Sequence, residues 1–550
     1  GDAATLVVPA QPPTAPPLPV QLTIPAAARI NYRILDEDGQ PMPGKLTLIG
    51  AGPAYDPALT RGAEGLDYGI AALRRSLRGD SSAGGPWDGP LLIAPGTYRA
   101  VVSHGPEWTR HEEKLTLTAG QEVTVTARLF HVLDTSGYLA CDFHQHTVNS
   151  PDSTISLEER VVTNLAEGLE FLSSSDHDYI TDFAPIIKSF AMDDRINSVP
   201  GEELTPFGFG HFISWPLPLE PGSPNFGAFD WGGDLGRSLP PGALFDGLRR
   251  LGGKVVQINH PRLSSPGPFG FQQNFDRAAL RFDFARRTFY GDRNAMPVEA
   301  AQLGLPEEAE VFSDRFNSLE VYNGLESSAP DRDGERHSKG TERILRDYMN
   351  FLSLGFIPAA VGSSDTHGRT EPAGLPRTLV RVTDDSAAAL RTGVADEVVA
   401  TLTAQGGALR DLYSTSGPVL RLWAGSGARR VGIGGTTQPE PGDPGNPEQT
   451  DGVLHLEVEA LCTEWAPIDT IEVFANSTFP SPETGPTPPE MVPALCFTSR
   501  AAPSERCRKA AVFGALTIET VDRPRGGRYL RARLVVEAPV AKLLLGSANM

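Results

Sequence analysis

His144 and His146 stand two residues apart at the end of an apolar run, Tyr138-Leu139-Ala140-Cys141-Asp142-Phe143. If that run is a strand, its side chains alternate faces and the two imidazoles project together, as half of a metal site. Further residues of the same chemistry follow along the chain. They are Asp152; His177 in Asp176-His177-Asp178; Glu203, beside Glu202 and after Pro200-Gly201; His211; His260 in Asn259-His260-Pro261-Arg262; and Asp365 with His367 in Ser364-Asp365-Thr366-His367. Imidazole mixed with carboxylate suits Zn, Mn or Fe rather than Ca or Mg alone, and a carboxylate is the ligand able to bridge two cations. Paired cations bring the pKa of bound water toward neutrality and stabilise charge on the attacked oxygen, so no serine or cysteine nucleophile is needed. A lone histidine at any of these places would be an ordinary core or surface residue; the series carries the reading.

Other side chains near these motifs have expected roles. Asp178 flanks His177, as does Asp176, and is expected to orient it or to protonate a leaving group. Arg262, directly after His260-Pro261, is placed to meet a phosphate or other anion. Asp142 shares the face of His144 and is expected to hydrogen-bond a ligand imidazole. Cys141 points to the opposite face and is expected to pack. Tyr322 and Asn323 end a strand, residues 318–322, at the same rim.

The motifs must be delivered by regular elements. Ser156 and Glu159 have capping-box spacing and open a helix whose Val161, Val162, Leu165 and Leu169 share a face. Leu244, Leu248 and Leu251 are in helical register and stop at Gly252-Gly253, before a strand over residues 254–260. An amphipathic helix over residues 341–354 closes at Gly355, and a strand over residues 357–361 leads to Asp365. Such alternation predicts a parallel β/α sheet or barrel with its active site at the strand C-termini. Residues 218–241 and 263–317 interrupt the alternation directly after candidate ligands, and are expected to wall the pocket.

Before and after this region the period is two rather than 3.6. Residues 26–130 read as a small β-sandwich, in which His104 and His111 are expected on the surface. Residues 406–550 read as a second sandwich, with an acidic turn-forming loop at 436–451, and residues 131–405 form the domain between them. Residues 1–25 are a Pro-rich extended leader of the kind that follows a removed export signal, so a periplasmic or secreted location is expected. Cys496 and Cys507 bracket a short polar loop that a disulfide could close.

With 550 residues the chain exceeds a single core. Its formal net charge of −20 and lack of a basic block argue against binding a nucleic-acid backbone or an anionic membrane. No apolar run is long enough to span a bilayer. The expected partner is a small molecule, an anionic ester, drawn in by local positive charge.

Over residues 138–400 the motif series resembles the polymerase and histidinol phosphatase (PHP) superfamily, and the flanking sandwiches resemble the arrangement in its carbaryl-hydrolase-like branch. The Asp38-Gly39-Gln40-Pro41 turn and Pro95-Gly96-Thr97-Tyr98 are similar to carboxypeptidase regulatory-like domains. The PHP resemblance implies an α/β fold, a distorted (β/α)7 barrel with two or three divalent metals at its C-terminal face. It implies that His144, His146 and Asp365 hold one metal, with Glu203 bridging to a second held by His211 and His260, and that Asp152, His177 and His367 hold a third. The family spacing Pro-Gly-x-Glu selects Glu203 over Glu202. Some relatives carry His where this chain has Asp152. The expected activity is attack by a metal-bound hydroxide, positioned through Glu203 and Asp365, on phosphoesters as the superfamily implies. The closer branch implies carbamate, carboxylic ester or amide cleavage on the same centre. A non-catalytic exported binding protein is the reading from another class, and it fits poorly with nine ligands, since a structural site closes with four.

Overall fold

The computed structural model describes residues 26–51, 71–84, 87–206, 209–232, 239–262, 280–295, 305, 307–324, 339–368, 371–404, 411–435, 453–474 and 491–539. The leader, the acidic loop at 436–451 and much of 263–317 lie outside them. The chain divides into two compact units, residues 1–104 with 108–131, and residues 105–107 with 132–550.

The first unit is all β. Strand Ala28–Leu35 buries alternate residues, so Ala28, Ile30, Tyr32 and Ile34 face inward. It lies between Leu91–Ile93 and Glu122–Arg128, while Gly44–Ala51 lies between Ala71–Leu77 and Gly96–Ser103, the last also paired with His111–Leu117. Inward residues of both sheets, among them Leu46, Leu48, Ala100, Val102 and Val125, form one core. His104 departs from expectation: it is buried, with its ring edge-on to Trp108 at 5.1 Å, because an aromatic neighbour covers its apolar face.

The second unit is mixed α/β and rich in sheet. Tyr138–Asp142 pairs in parallel with Phe171–Ser173, which pairs in parallel with Asn197–Val199; on its other side it pairs antiparallel with Arg377–Arg381, next to Leu412–Thr415. A second five-stranded sheet runs Glu202–Leu204, Phe212–Trp215, Val255–Ile258, Ser318–Asn323, Ala359–Ser363, its first two pairs antiparallel and its last two parallel. The ladders therefore draw two mixed sheets, not the continuous parallel ring expected. For the pair Glu202–Leu204 and Phe212–Trp215 the reason is local: a short connection separates them, and a parallel crossover needs a dozen residues or more. Isolated bridges join Gln145 to Thr366, both beyond strand ends, and His177 to Glu203 in the strand Glu202–Leu204.

Helices cover these sheets as the sequence pattern requires. Helix Leu157–Ala166 is capped by Ser156, whose hydroxyl accepts from the Glu159 amide at 3.2 Å. Helix Pro241–Leu251 ends at Gly252 with φ 120°, and Lys339–Leu354 at Gly355 with φ 85°. Leu244, Phe245, Leu248, Ile344, Phe351 and Leu352 pack on Phe212, Val256, Ile258 and Leu319. Helix Ala395–Thr403 places Val398 and Leu402 against Leu139, Cys141 and Val361, so Cys141 is a packing residue. Toward the C-terminus, strands of a four- and a three-stranded sheet share a core of Leu456, Val458, Ile471, Leu495 and Leu534, and Cys496 is joined to Cys507.

Candidate metal centre

The two chain segments that bear the first and last motifs are tied together by their main chains. His146 N–H donates to Thr366 O at 3.0 Å and Asp365 N–H to His144 O at 2.8 Å. Arg160, fully buried on helix Leu157–Ala166, donates to the carbonyls of both His146 and Thr366. Asp142, expected to meet an imidazole, instead accepts the amides of His144, Ser364 and Gly374 and so pins both segments. Its side chain is short and lies two residues before His144, within reach of the main chain at the strand end rather than of a ring.

Glu203 is the centre of the cluster, with no exposed side-chain surface. Its Oε1 lies 3.2 Å from His144 Nε2, 3.2 Å from His211 Nδ1 and 3.5 Å from His260 Nε2. Its Oε2 lies 3.4 Å from His146 Nε2 and 3.1 Å from His177 Nδ1. Asp365 Oδ1 is 3.2 Å from His144 Nε2 and 3.3 Å from His146 Nε2. Asp152 Oδ2 sits between His177 Nε2 and His367 Nε2, 3.2 Å from each. The donors fall into four overlapping groups: His146, Asp152, His177 and His367; His144, His146 and Glu203; His144, His260 and Asp365; and His177, Glu203 and His211. All nine residues singled out in the sequence occur in at least one group. His211 groups with His177 and Glu203, whereas His260 groups with His144 and Asp365.

The orientation of the rings fits cations between them. His144 Nδ1 is 3.0 Å from Glu320 Oε1, His146 Nδ1 is 2.9 Å from Ser150 Oγ, and His367 Nδ1 is 2.9 Å from the Asp365 carbonyl. Ser150 Oγ donates onward to Asp176, so it accepts from His146. Each of these Nδ1 atoms thus carries a proton toward an acceptor, leaving Nε2 turned inward. Despite their short separations, His144 Nε2, His146 Nε2 and Glu203 Oε2 have no hydrogen-bond partner. Buried polar atoms are rarely left so, and a shared cation is the partner that imidazole and carboxylate donors satisfy together.

Electrostatics point the same way. Burial disfavours the charged form of Glu203, but His144, His177 and His211 outweigh it and hold its carboxyl well below the usual range. Asp365 is likewise lowered against burial, by His144 and His146. Burial opposes the imidazolium of His144, yet Asp365, Glu203 and Glu320 raise its pKa well above the ordinary value. His177 rises to about 9 for the same kind of reason, through Glu203 and Asp152, while burial dominates at His146 and lowers it to about 3. The cluster therefore sets ionised carboxylates against imidazoles whose protons a cation would displace.

One expected role is overturned. Arg262 is buried, and its Nε and a terminal nitrogen donate to Asp347 at 2.7 and 2.9 Å, so its charge is spent on helix Lys339–Leu354 and not offered to an anion. Asp178, with φ 49°, accepts from Thr205 N–H and from Trp231 Nε1, and burial raises its pKa. Its carboxylate thus holds the Thr205 amide and the Trp231 indole beside His177. Asp176 accepts from Thr147, Ser150 and Thr181 hydroxyls. Residues not singled out beforehand are Glu320, Asn259 and Arg160; Asn259 Nδ2 donates to Glu203 Oε1 at 2.7 Å. The available signal for Glu320 was a lone acid inside the apolar strand Ser318–Asn323.

No protein-family model and no curated protein matches the chain. Among solved structures, the chain is similar to a two-domain protein from Bacteroides vulgatus described as containing a predicted PHP-like metal-dependent phosphoesterase, with 15% identity, 63% of this chain and 82% of that one covered, and a TM-score of 0.32. It is also similar to an amidohydrolase from Chromobacterium violaceum, with 15% identity, 42% and 89% covered, and a TM-score of 0.24. Likenesses this distant decide neither fold nor activity, and the functional reading stands on the site itself.

Proposed function

We propose that this chain is a multinuclear metal-dependent hydrolase of the PHP type, its two mixed sheets being a distorted form of the (β/α)7 barrel, acting on phosphoesters. The observation that carries the reading is Glu203, whose two oxygens face different sets of imidazoles, the arrangement of a carboxylate shared between cations. Bound divalent Zn, Mn or Fe would supply a nucleophilic water at neutral pH and stabilise charge on the attacked group. His144, His146, Glu203, Asp365 and His260 form the floor that would hold the ions, and Asn259 and Glu320 orient it. Asp152, 49% exposed, with His177 and His367, forms the side on which substrate enters. The Cys496–Cys507 disulfide supports export to an oxidising compartment.

One observation favours a second reading, hydrolysis of a carbamate or carboxylic ester as in the carbaryl-hydrolase-like branch: with Arg262 paired to Asp347, the guanidinium expected to grip a phosphate is withdrawn. Elemental analysis of purified protein, combined with rates on aryl phosphate mono-, di- and triesters and an aryl carbamate, separates the readings. Metal-dependent turnover fastest on a phosphoester supports the first, and fastest on the carbamate supports the second. Fewer than two bound metals per chain, or no turnover by metal-replete protein, would overturn both.

A further inference from the structure

We propose that Glu320 is the positioning residue of this centre: it keeps the His144 proton on Nδ1, so that Nε2 faces the cation, and it anchors His260 directly and Asp365 through Asn323. The inference rests on the metal-holding reading above. In strand Ser318–Asn323, Leu319 and Val321 point into the hydrophobic core, so alternation turns Glu320 toward the histidines. It has no exposed surface. Burying an acid among apolar neighbours is costly unless its oxygens receive donors, and Glu320 receives three. His144 Nδ1 lies 3.0 Å from Oε1; His260 N–H donates to Oε2 at 2.6 Å; and Asn323 Nδ2 donates to Oε2 at 3.0 Å.

The same Asn323 nitrogen donates to Asp365 Oδ2 at 3.0 Å, so one carboxylate is connected to three candidate ligands. His260 and Asp365 also have positive φ, 26° and 51°. Non-glycine residues persist in that region only where surrounding contacts hold them. Glu320 and Asn323 are such contacts, one on the His260 amide and one on the Asp365 side chain.

A carboxylate only accepts, whereas a glutamine presents one accepting oxygen and one donating nitrogen. In Glu320→Gln the three donors therefore cannot all be satisfied. Either His144 moves its proton to Nε2, blocking the cation, or the His260 amide loses its partner. The test uses the full chain, stripped of metal and titrated with Zn2+ against a chelating competitor, together with the visible absorption of the Co2+-loaded protein. E320Q is expected to weaken Zn2+ binding about 10- to 100-fold and to shift the Co2+ bands, whereas a merely destabilising change would leave the bands of the folded protein in place. Asn323→Ala is expected to lose less affinity and also to alter the bands. Wild-type Zn2+ affinity and an unchanged Co2+ spectrum in E320Q overturn the proposal; if E320Q does not fold, the same two readouts on N323A decide it. Wild-type protein that binds fewer than two Zn2+ overturns the metal reading itself, a failure distinct from that of Glu320.

Discussion

The two ends of the metal centre are built differently from similar residues. At the deep end, His144, His146 and Glu203 have no exposed side-chain surface and Asp365 only 4%. Their orientation is set by Glu320, Asn323, Asn259, Ser150 and the buried Arg160. At the open end Asp152 is 49% exposed, and His177 and His367 are 12% and 20% exposed. For a bound metal the contrast implies a division of labour: desolvated, multiply held donors would bind ions firmly, and donors in contact with water would leave coordination positions that exchange.

Breaking the deep end should have the largest effect. Glu203→Ala removes the one carboxylate that occurs in two of the four groups, and is expected to reduce activity to that of metal-stripped protein with most of the metal lost, as read by elemental analysis. Asp152→Ala should break only the open end, lowering stoichiometry by about one ion per chain while the deep ions stay. The division of labour is wrong if both variants lose the same metal. In wild type, a chelator should remove ions in two phases, the fast one absent from D152A. Because ions compete with protons for imidazole, loading of both ends should rise with pH.

Two smaller effects sharpen the comparison by showing what burial does where no imidazoles gather. Glu170 accepts the Ala140 amide at 3.0 Å; although the residue keeps partial exposure, desolvation of its carboxyl, with Glu107 nearby, pushes its pKa up to about 8. The unfolded chain releases that proton near pH 4.3 and the folded one near 8, so the native state binds more protons between these values. Stability contributed by this group therefore falls as pH rises across that window. Glu170→Gln should flatten the dependence of the urea midpoint on pH while leaving metal content unchanged. Ser156→Ala should cost about 1 kcal/mol through the lost helix cap, with a minor decrease in metal affinity transmitted through Arg160.

Much of the local structure was legible because it depends on short-range chemistry. The Ser156 cap, the stops at Gly252 and Gly355 and the inward alternation of Ala28–Leu35 follow from donors, φ and period within a few residues. The proximity of the nine metal-type residues was legible for another reason: hydrophilic ligands follow the ends of apolar runs, and those ends meet where the two sheets are bridged at Gln145–Thr366 and His177–Glu203. What was not legible depended on partners far away. Arg262 could not be assigned to Asp347, 85 residues on, before helix Lys339–Leu354 was placed. His104 was expected on the surface because nothing beside it in sequence announced its contact with Trp108 as a burial.

Glu202 and Glu203 show where the boundary runs. Sequence by itself determined that two acids follow Pro200-Gly201 and, by alternation, that they face opposite sides of a strand. Composition could not assign the sides, because both acids are equally able to bind a cation; only the resemblance in spacing, Pro-Gly-x-Glu, pointed to Glu203. Tertiary structure decided it: Glu203 faces five imidazoles and is held ionised, while Glu202, equally buried, meets the Phe229 amide and is pushed up to about 8 by desolvation. The side chains are chemically identical. Their charge is set by neighbours that lie far from them in the chain.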